Sequence, residues 1–182
     1  GANTNVGVYN YFSSSSSSMN NVTATGTGGT GGTVRDHGVY NDNSSPTMNN
    51  VTATATATGG GESYGVYNIS SSPSMNNVTA TATGGTNNYG VYNFSSSSLT
   101  MNNVTATGTG GTFNYGVYNI SLSSPSIRNS SITGSTYSIF NSASSSAQVA
   151  DTMLDGPVDA GAGLACVGAY TTAFVALCLI PT

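Results

Sequence analysis

The chain has 182 residues, of which only 4% are charged, two basic against six acidic, for a net charge of −4. Ordinary domains carry about a quarter charged residues, so solubility here falls to the hydroxyls and amides of Ser, Thr and Asn. Two cations, Arg35 and Arg128, are too few to neutralise a phosphate backbone or hold an anionic bilayer, which argues against nucleic-acid binding and polybasic membrane attachment.

Ser and Gly in this abundance also mark flexible linkers, but disorder goes with high net charge and few aromatics. Here 11 Tyr and 5 Phe recur in register, which points to an ordered repeat. In chain order, Gly-Val-Tyr-Asn stands at Gly7–Asn10, Gly38–Asn41, Gly65–Asn68, Gly90–Asn93 and Gly116–Asn119, at intervals of 31, 27, 25 and 26 residues. Between them, Met-Asn-Asn-Val-Thr-Ala-Thr begins at Met19, Met48, Met75 and Met101, with a degenerate copy from Ile127. Ser138 to Asn141 is a worn sixth form of the tetrapeptide.

A unit of this size is shorter than the helical repeats, and it is rich in the Val, Thr and Tyr that favour strands. In one unit, Val78 to Thr83 alternates apolar residues with Thr, Gly84 to Asn88 is turn chemistry, and Tyr89 to Asn93 is a second strand. Ser95 to Ser98 form another polar turn, and Leu99 to Asn103 open the next unit. The pattern predicts two turns and roughly three short strands per coil. One coil cannot bury its own apolar face; stacked coils can, with like residues piled into ladders. The expected inner ladders are Val22-Val51-Val78-Val104, Ala24-Ala53-Ala80-Ala106, Val8-Val39-Val66-Val91-Val117 and Met19-Met48-Met75-Met101-Ile127. The small Ala ladder implies a narrow cross-section at that point.

The run Ser71 to Thr79, Ser-Ser-Pro-Ser-Met-Asn-Asn-Val-Thr, resembles the coil pattern of right-handed parallel β-helix proteins of the pectate-lyase-like superfamily. The resemblance spans roughly residues 1–147 and implies a stacked internal Asn ladder of Asn21, Asn50, Asn77, Asn103 and Asn129. It speaks to fold, since enzymes, adhesins and purely structural proteins share that architecture.

After Ser146 the composition changes, and residues 148–182 are expected to form a C-terminal cap or assembly segment. Two apolar strands, Leu164 to Tyr170 and Phe174 to Ile180, are predicted about a turn near Thr171-Thr172, with Cys166 and Cys178 as a disulfide. Ala160 to Ile180 carries no charge, but its Gly, Thr and Tyr content and the lack of flanking basic residues favour a cap over a membrane span. The candidate assembly residues are Val167, Tyr170, Phe174, Val175, Leu177, Leu179 and Ile180. They are expected to cover the opposite end of another copy, a head-to-tail contact that propagates into filaments. The chain begins at Gly1, inside a repeat, as a processed or incomplete product would.

Catalytic and metal chemistry finds little to work with. Asp36, Asp42, Glu62, Asp151, Asp155 and Asp159 are the only acids and His37 the only histidine, so no cofactor, zinc site or catalytic group is expected. Arg35-Asp36-His37 is the one local cluster and is expected as a solvated turn, with His37 in the place of Tyr64, Tyr89 and Tyr115. Two outward arrays are candidate ligand faces. One is the Tyr ladder Tyr9-Tyr40-Tyr67-Tyr92-Tyr118, suited to stacking sugars. The other is the Thr array, with Thr52, Thr54, Thr79, Thr81, Thr105 and Thr107 at its centre, whose Thr-x-Thr rows resemble those of ice-binding proteins. Asn-x-Ser/Thr sequons recur throughout, among them Asn50, Asn68, Asn77 and Asn93.

The sequence therefore predicts an all-β, right-handed parallel β-helix (β-solenoid) of about five coils with a short C-terminal capping segment. The expected role is an extracellular or cell-surface structural protein, a fibre or filament subunit partnered with itself. A carbohydrate-binding or ice-binding module is the alternative.

Overall fold

A computed structural model describes residues 4–12, 17–30 and 34–177, with only the backbone of Gly29 and Thr30. Alternating apolar and hydroxyl residues make period-two strands, and these wind as a coil that repeats. The first coil holds β1 (Thr4–Tyr11), β2 (Ser18–Asn20) and β3 (Thr23–Thr30), and the second β4 (Arg35–Asp42) and β5 (Thr47–Thr58). The third holds β6 (Glu62–Ile69) and β7 (Ser74–Thr83), and the fourth β8 (Asn87–Phe94) and β9 (Thr100–Thr109). The fifth holds β10 (Phe113–Asn119), β11 (Ser126–Arg128) and β12 (Ser131–Gly134). Shorter strands follow: β13 (Tyr137–Asn141), β14 (Ser146–Ala150), β15 (Met153–Asp155), β16 (Val158–Asp159) and β17 (Gly163–Val167).

One sheet runs β1-β4-β6-β8-β10-β13-β16 and the other β17-β14-β11-β9-β7-β5-β2, with β3 on β5 and β12 between β9 and β15. All strand pairing is parallel, and like meets like: Val66 pairs with Val39 and Val91, and Met75 with Met48 and Met101. The chain is an all-β parallel β-solenoid of about five turns. No described residue lies in a helix, so no helix is long and apolar enough to cross a membrane.

The core is the set of stacked columns that the repeat implies. Val39, Val66, Val91 and Val117 are fully buried, as are Ala53, Ala80 and Ala106, and Met48, Met75, Met101 and Ile127 are buried beside them. Val8 and Val22, in the first coil, are half-buried. Where the repeat predicts three short strands, the second to fourth coils hold two, because Met-Asn-Asn and Val-Thr-Ala-Thr run on as one strand. That strand bends at Asn50, Asn77 and Asn103, whose φ values are 53°, 52° and 55°, a left-handed conformation that Asn tolerates better than most residues. The Ser turns are less solvated than their composition suggests. Ser71, Ser97 and Ser123 are buried, and each offers its hydroxyl to the backbone N–H of the preceding coil: Ser44 to Ser71, Ser71 to Ser97, Ser97 to Ser123.

The tetrapeptide glycine has a geometric reason. Pairing passes from Tyr64–Tyr89 to Val66–Val91 and skips the glycines between. There the strand kinks and its backbone presses on the facing sheet. A Cβ on Gly65 would lie 2.7 Å from the Thr81 amide nitrogen and 2.8 Å from the Ala80 carbonyl carbon. The Gly and Ala columns thus let two backbones touch, which is why the cross-section is narrow at that level. The kink also leaves Tyr64 and Tyr67 both outside while Val66 and Asn68 both face in.

The stack does not stop at the predicted boundary between residues 147 and 148. β14 crosses it, pairs with β11 and β17, and buries Ala147 and Val149. Losing the Ser/Asn pattern changes the outer surface, but the inward positions stay apolar and the coil continues. Of the two apolar strands expected beyond it, the first is β17. Of the second, residues 174–177 are described and 178–180 lie outside the described residues; Ala176 makes an antiparallel bridge to Tyr170, after a turn in which the Phe174 N–H donates to the Thr171 carbonyl at 2.9 Å.

Gly65→Ala is expected to lower stability by about 3 kcal/mol, because the added methyl meets backbone that cannot step aside. Thermal denaturation followed by circular dichroism measures this; an unchanged melting temperature would refute backbone contact between the sheets.

Candidate functional site

The polar side chains that recur in every coil divide into those that hold the stack and those left facing outward. The internal Asn ladder is made by the tetrapeptide. Asn10, Asn41, Asn68, Asn93, Asn119 and Asn141 stack on one another, and Asn41 through Asn119 have no exposed surface. Each Nδ2 donates to the next Oδ1 over 2.7–2.9 Å, from Asn10 to Asn41, Asn68, Asn93, Asn119 and Asn141 in turn. The last amide, on Asn141, donates to the Ala160 carbonyl at 3.2 Å.

This corrects the ladder that the family resemblance implied. Asn21, Asn50, Asn77, Asn103 and Asn129 do sit at a sharp bend, with φ between 49° and 56°, but all are exposed. Asn50 donates to Asn21, Asn77 to Asn50 and Asn103 to Asn77, on the outside of the bend; Asn129 leaves the file and donates to Asn102. The sequon asparagines divide between the two files. Asn68 and Asn93 are sealed in the core, whereas Asn50 and Asn77 are exposed.

Outside the Val column stand two files of aromatic rings. His37, Tyr64, Tyr89 and Tyr115 stack nearly parallel, 7–11° apart, with centroids 4.8–5.1 Å apart. Tyr67, Tyr92, Tyr118 and Phe140 form the second file at 4.6–5.2 Å and 10–20°. The files meet edge to face, Tyr89 on Tyr92 at 80° and Tyr64 on Tyr67 at 71°, the arrangement the ring quadrupoles prefer. Tyr64 and Tyr89 are buried by this packing and their hydroxyls are pushed well above the ordinary range, chiefly by desolvation. A sugar stacks on a ring face, and here both faces of Tyr92 and Tyr118 are covered by the rings above and below. Tyr92 and Tyr118 therefore offer edges to solvent, Tyr40 and Tyr67 meet edge to face at 78°, and Tyr9, 51% exposed in the first coil, is the most open of the five.

The Thr array lies on the outer face of the second sheet. Thr23, Thr52, Thr79 and Thr105 pair in register, as do Thr25, Thr54, Thr81 and Thr107, and Thr27, Thr56, Thr83 and Thr109. The first file is exposed; Thr54, Thr81 and Thr107 are half-buried among their neighbours. Within these three files the one hydroxyl–hydroxyl bond is Thr56 to Thr83, at 3.3 Å.

Arg35, Asp36 and His37 lie in β4, not in a solvated turn. Arg35 donates from Nε to Glu62 Oε2 at 2.9 Å, directly across the register, and the Tyr64 hydroxyl donates to the same oxygen at 2.9 Å. Arg35 is 61% exposed there, so the pair adds little stability. Asp36 points inward, fully buried, and accepts from Asn5 Nδ2 at 2.6 Å, while its Oδ2 has no partner. His37 takes the Tyr place in the ring file as the sequence implies, but it is buried, with Nδ1 unpartnered. Burial, helped by the Arg35 charge, pulls its pKa down to about 4. Among the described residues no group of three His, Cys, Asp or Glu is placed to hold a metal ion.

At the C-terminal end, Phe174, Val175, Leu177 and Val167 are 85%, 59%, 45% and 49% exposed, and Tyr170 stacks on Phe174 at 5.8 Å. Cys166 is disulfide-bonded; Cys178, Leu179 and Ile180 lie outside the described residues. The chain matches no protein-family model and no curated protein.

Asn93→Ala should cost about 4 kcal/mol, since it strands a buried donor on Asn68 and a buried acceptor on Asn119. Asn77→Ala, at the exposed bend, should cost only about 1 kcal/mol of left-handed strain. Equal losses in urea denaturation would contradict the assignment of the two ladders. His37 carries a second expectation. Its folded pKa of about 4 lies below the 6.5 of the open chain, so the unfolded state binds the extra proton. The stability it contributes is complete above pH 6.5 and is lost as the pH falls, reaching about 3 kcal/mol near pH 4. His37→Tyr, which restores the ring file, should narrow the drop in melting temperature between pH 7 and pH 4.5; an unaltered drop would contradict it.

Proposed function

We propose that the chain is an extracellular structural protein, a self-assembling surface fibre or filament subunit joined head to tail through its solenoid ends. The observation that carries this reading is the exposed apolar group at the C-terminal end, Phe174, Val175, Leu177 and Val167. It lies beside β17, the last strand of its sheet, which among the described residues pairs on one side only, with β14. Unpaired strand edges and exposed apolar clusters together invite another chain. At the other end β1 pairs, among the described residues, with β4 alone, and Tyr9, Tyr11 and Phe12 are exposed at 51%, 57% and 64%. Parallel strands of a second copy can extend this stack without changing its hydrogen-bond pattern, and the repeated contact gives a filament when the rotation does not close a ring.

Three features support a structural role over catalysis and an extracellular setting over a cytosolic one. The recurring Asn side chains are occupied in ladders, 4% of the residues are charged, and Cys166 is in a disulfide. Within this reading the chain is a non-catalytic relative of the pectate-lyase-like β-helices, a placement supported by the Ser71 to Thr79 pattern and its bend at Asn77.

Light scattering and electron microscopy test the assembly. Wild type is expected to form filaments that grow with concentration, and the double substitution Phe174→Asp with Val175→Asp to leave soluble single subunits with an unchanged circular dichroism spectrum. Wild type that stays monomeric across the concentration range would rule the filament out.

A further inference from the structure

The outer face of the second sheet has a use that self-assembly through the ends leaves free. We infer that the Thr files bind the surface of ice.

Four properties of this face carry the inference. It is periodic in two directions: in-register stacking repeats Thr79 and Thr81 as Thr52 and Thr54 below and Thr105 and Thr107 above. The repeat is about 4.8 Å between coils and about 6.7 Å between alternate residues of a strand. These distances are of the same order as the repeats of water oxygens on the prism faces of ice, so a row of hydroxyls can stand at successive places of a water lattice. The hydroxyls are also available. Thr56 and Thr83 bond to each other, whereas those of Thr52, Thr54, Thr79, Thr81, Thr105 and Thr107 have no side-chain partner within the files.

The third property is rigidity. Thr is stiff at χ1 because of its branched Cβ, and neighbours on four sides hold Thr54 and Thr81 half-buried. Ordering them against a lattice therefore costs little conformational entropy. The register of like residues, fixed inside by the Asn ladder, opposes the twist that would bow an ordinary sheet away from a plane. Finally, the three files contain no charge. A charged side chain would keep a hydration shell of its own and break the lattice, and an uncharged array of alternating hydroxyls and methyls does not.

The occupant is ice and not a second protein, because protein interfaces are centred on aromatic and Arg side chains, and this face has neither. A crystalline polysaccharide also offers periodic hydroxyls, and the experiment separates the two.

The test is to grow single ice crystals in solutions of the purified full chain and to record crystal shape and thermal hysteresis. Three proteins are compared: wild type, Thr81→Lys at the centre of the face, and Ser98→Lys on an exposed turn, each checked for fold by circular dichroism. Wild type and Ser98→Lys are expected to facet the crystals and hold a hysteresis gap, and Thr81→Lys to lose both. Round crystals with wild type, or faceting untouched by Thr81→Lys, would overturn the inference. So would co-sedimentation of wild type with microcrystalline cellulose in the absence of any effect on ice.

Discussion

Everything in this molecule depends on each residue finding its own counterpart one coil away. Backbone pairing in a parallel sheet is indifferent to side chains, so a stack of similar coils can slip. The buried Asn file removes that freedom. Each amide donates to one neighbour and accepts from the other, and in a dry interior an unmatched amide carries the full desolvation penalty. A register shift of one residue would bury Tyr92 in place of Asn93 and expose the Val column. Specificity of stacking therefore comes from a polar group at the centre of an apolar core.

The other features follow from that fixed register. Gly and Ala columns face each other because two backbones must touch, and the glycine kink sets two aromatic files side by side on the outside. Since the rings repeat at the coil spacing, they satisfy one another face to face and become part of the structure. The Thr files repeat by the same rule, but their hydroxyls point away from the stack and remain for something outside it. The Tyr and Thr faces differ in what is left over. Ring faces are consumed by stacking, and hydroxyls are not.

The repeat made the fold legible, since intervals of 25 to 31 residues with period-two alternation admit few architectures. The inner Val, Ala and Met columns were legible for the same reason. The Asn ladder was misplaced because Asn recurs at more than one position of the coil. Strict alternation through Val91, Tyr92 and Asn93 already put Asn93 on the inner side with Val91, and that signal outweighs the pattern from Ser71 to Thr79. Burial of His37 and Asp36 was hidden for another reason. A charged triplet in the longest interval has the composition of a loop, and only the pairing of Asp36 with Asn5 and of His37 with Tyr64 shows that the strand continues through it. The boundary near residue 147 was a change of surface composition. Inward positions alone report where a solenoid ends.

Exchange of the side-chain amide protons, followed by NMR on the folded protein in deuterated buffer, shows whether the buried amide file holds the coils in register. The Asn41, Asn68, Asn93 and Asn119 amides should exchange as slowly as the core backbone, while those of Asn50, Asn77 and Asn103 exchange at rates near those of free amides. Fast exchange at Asn68 and Asn93 would mean that the amide file does not hold the coils in register.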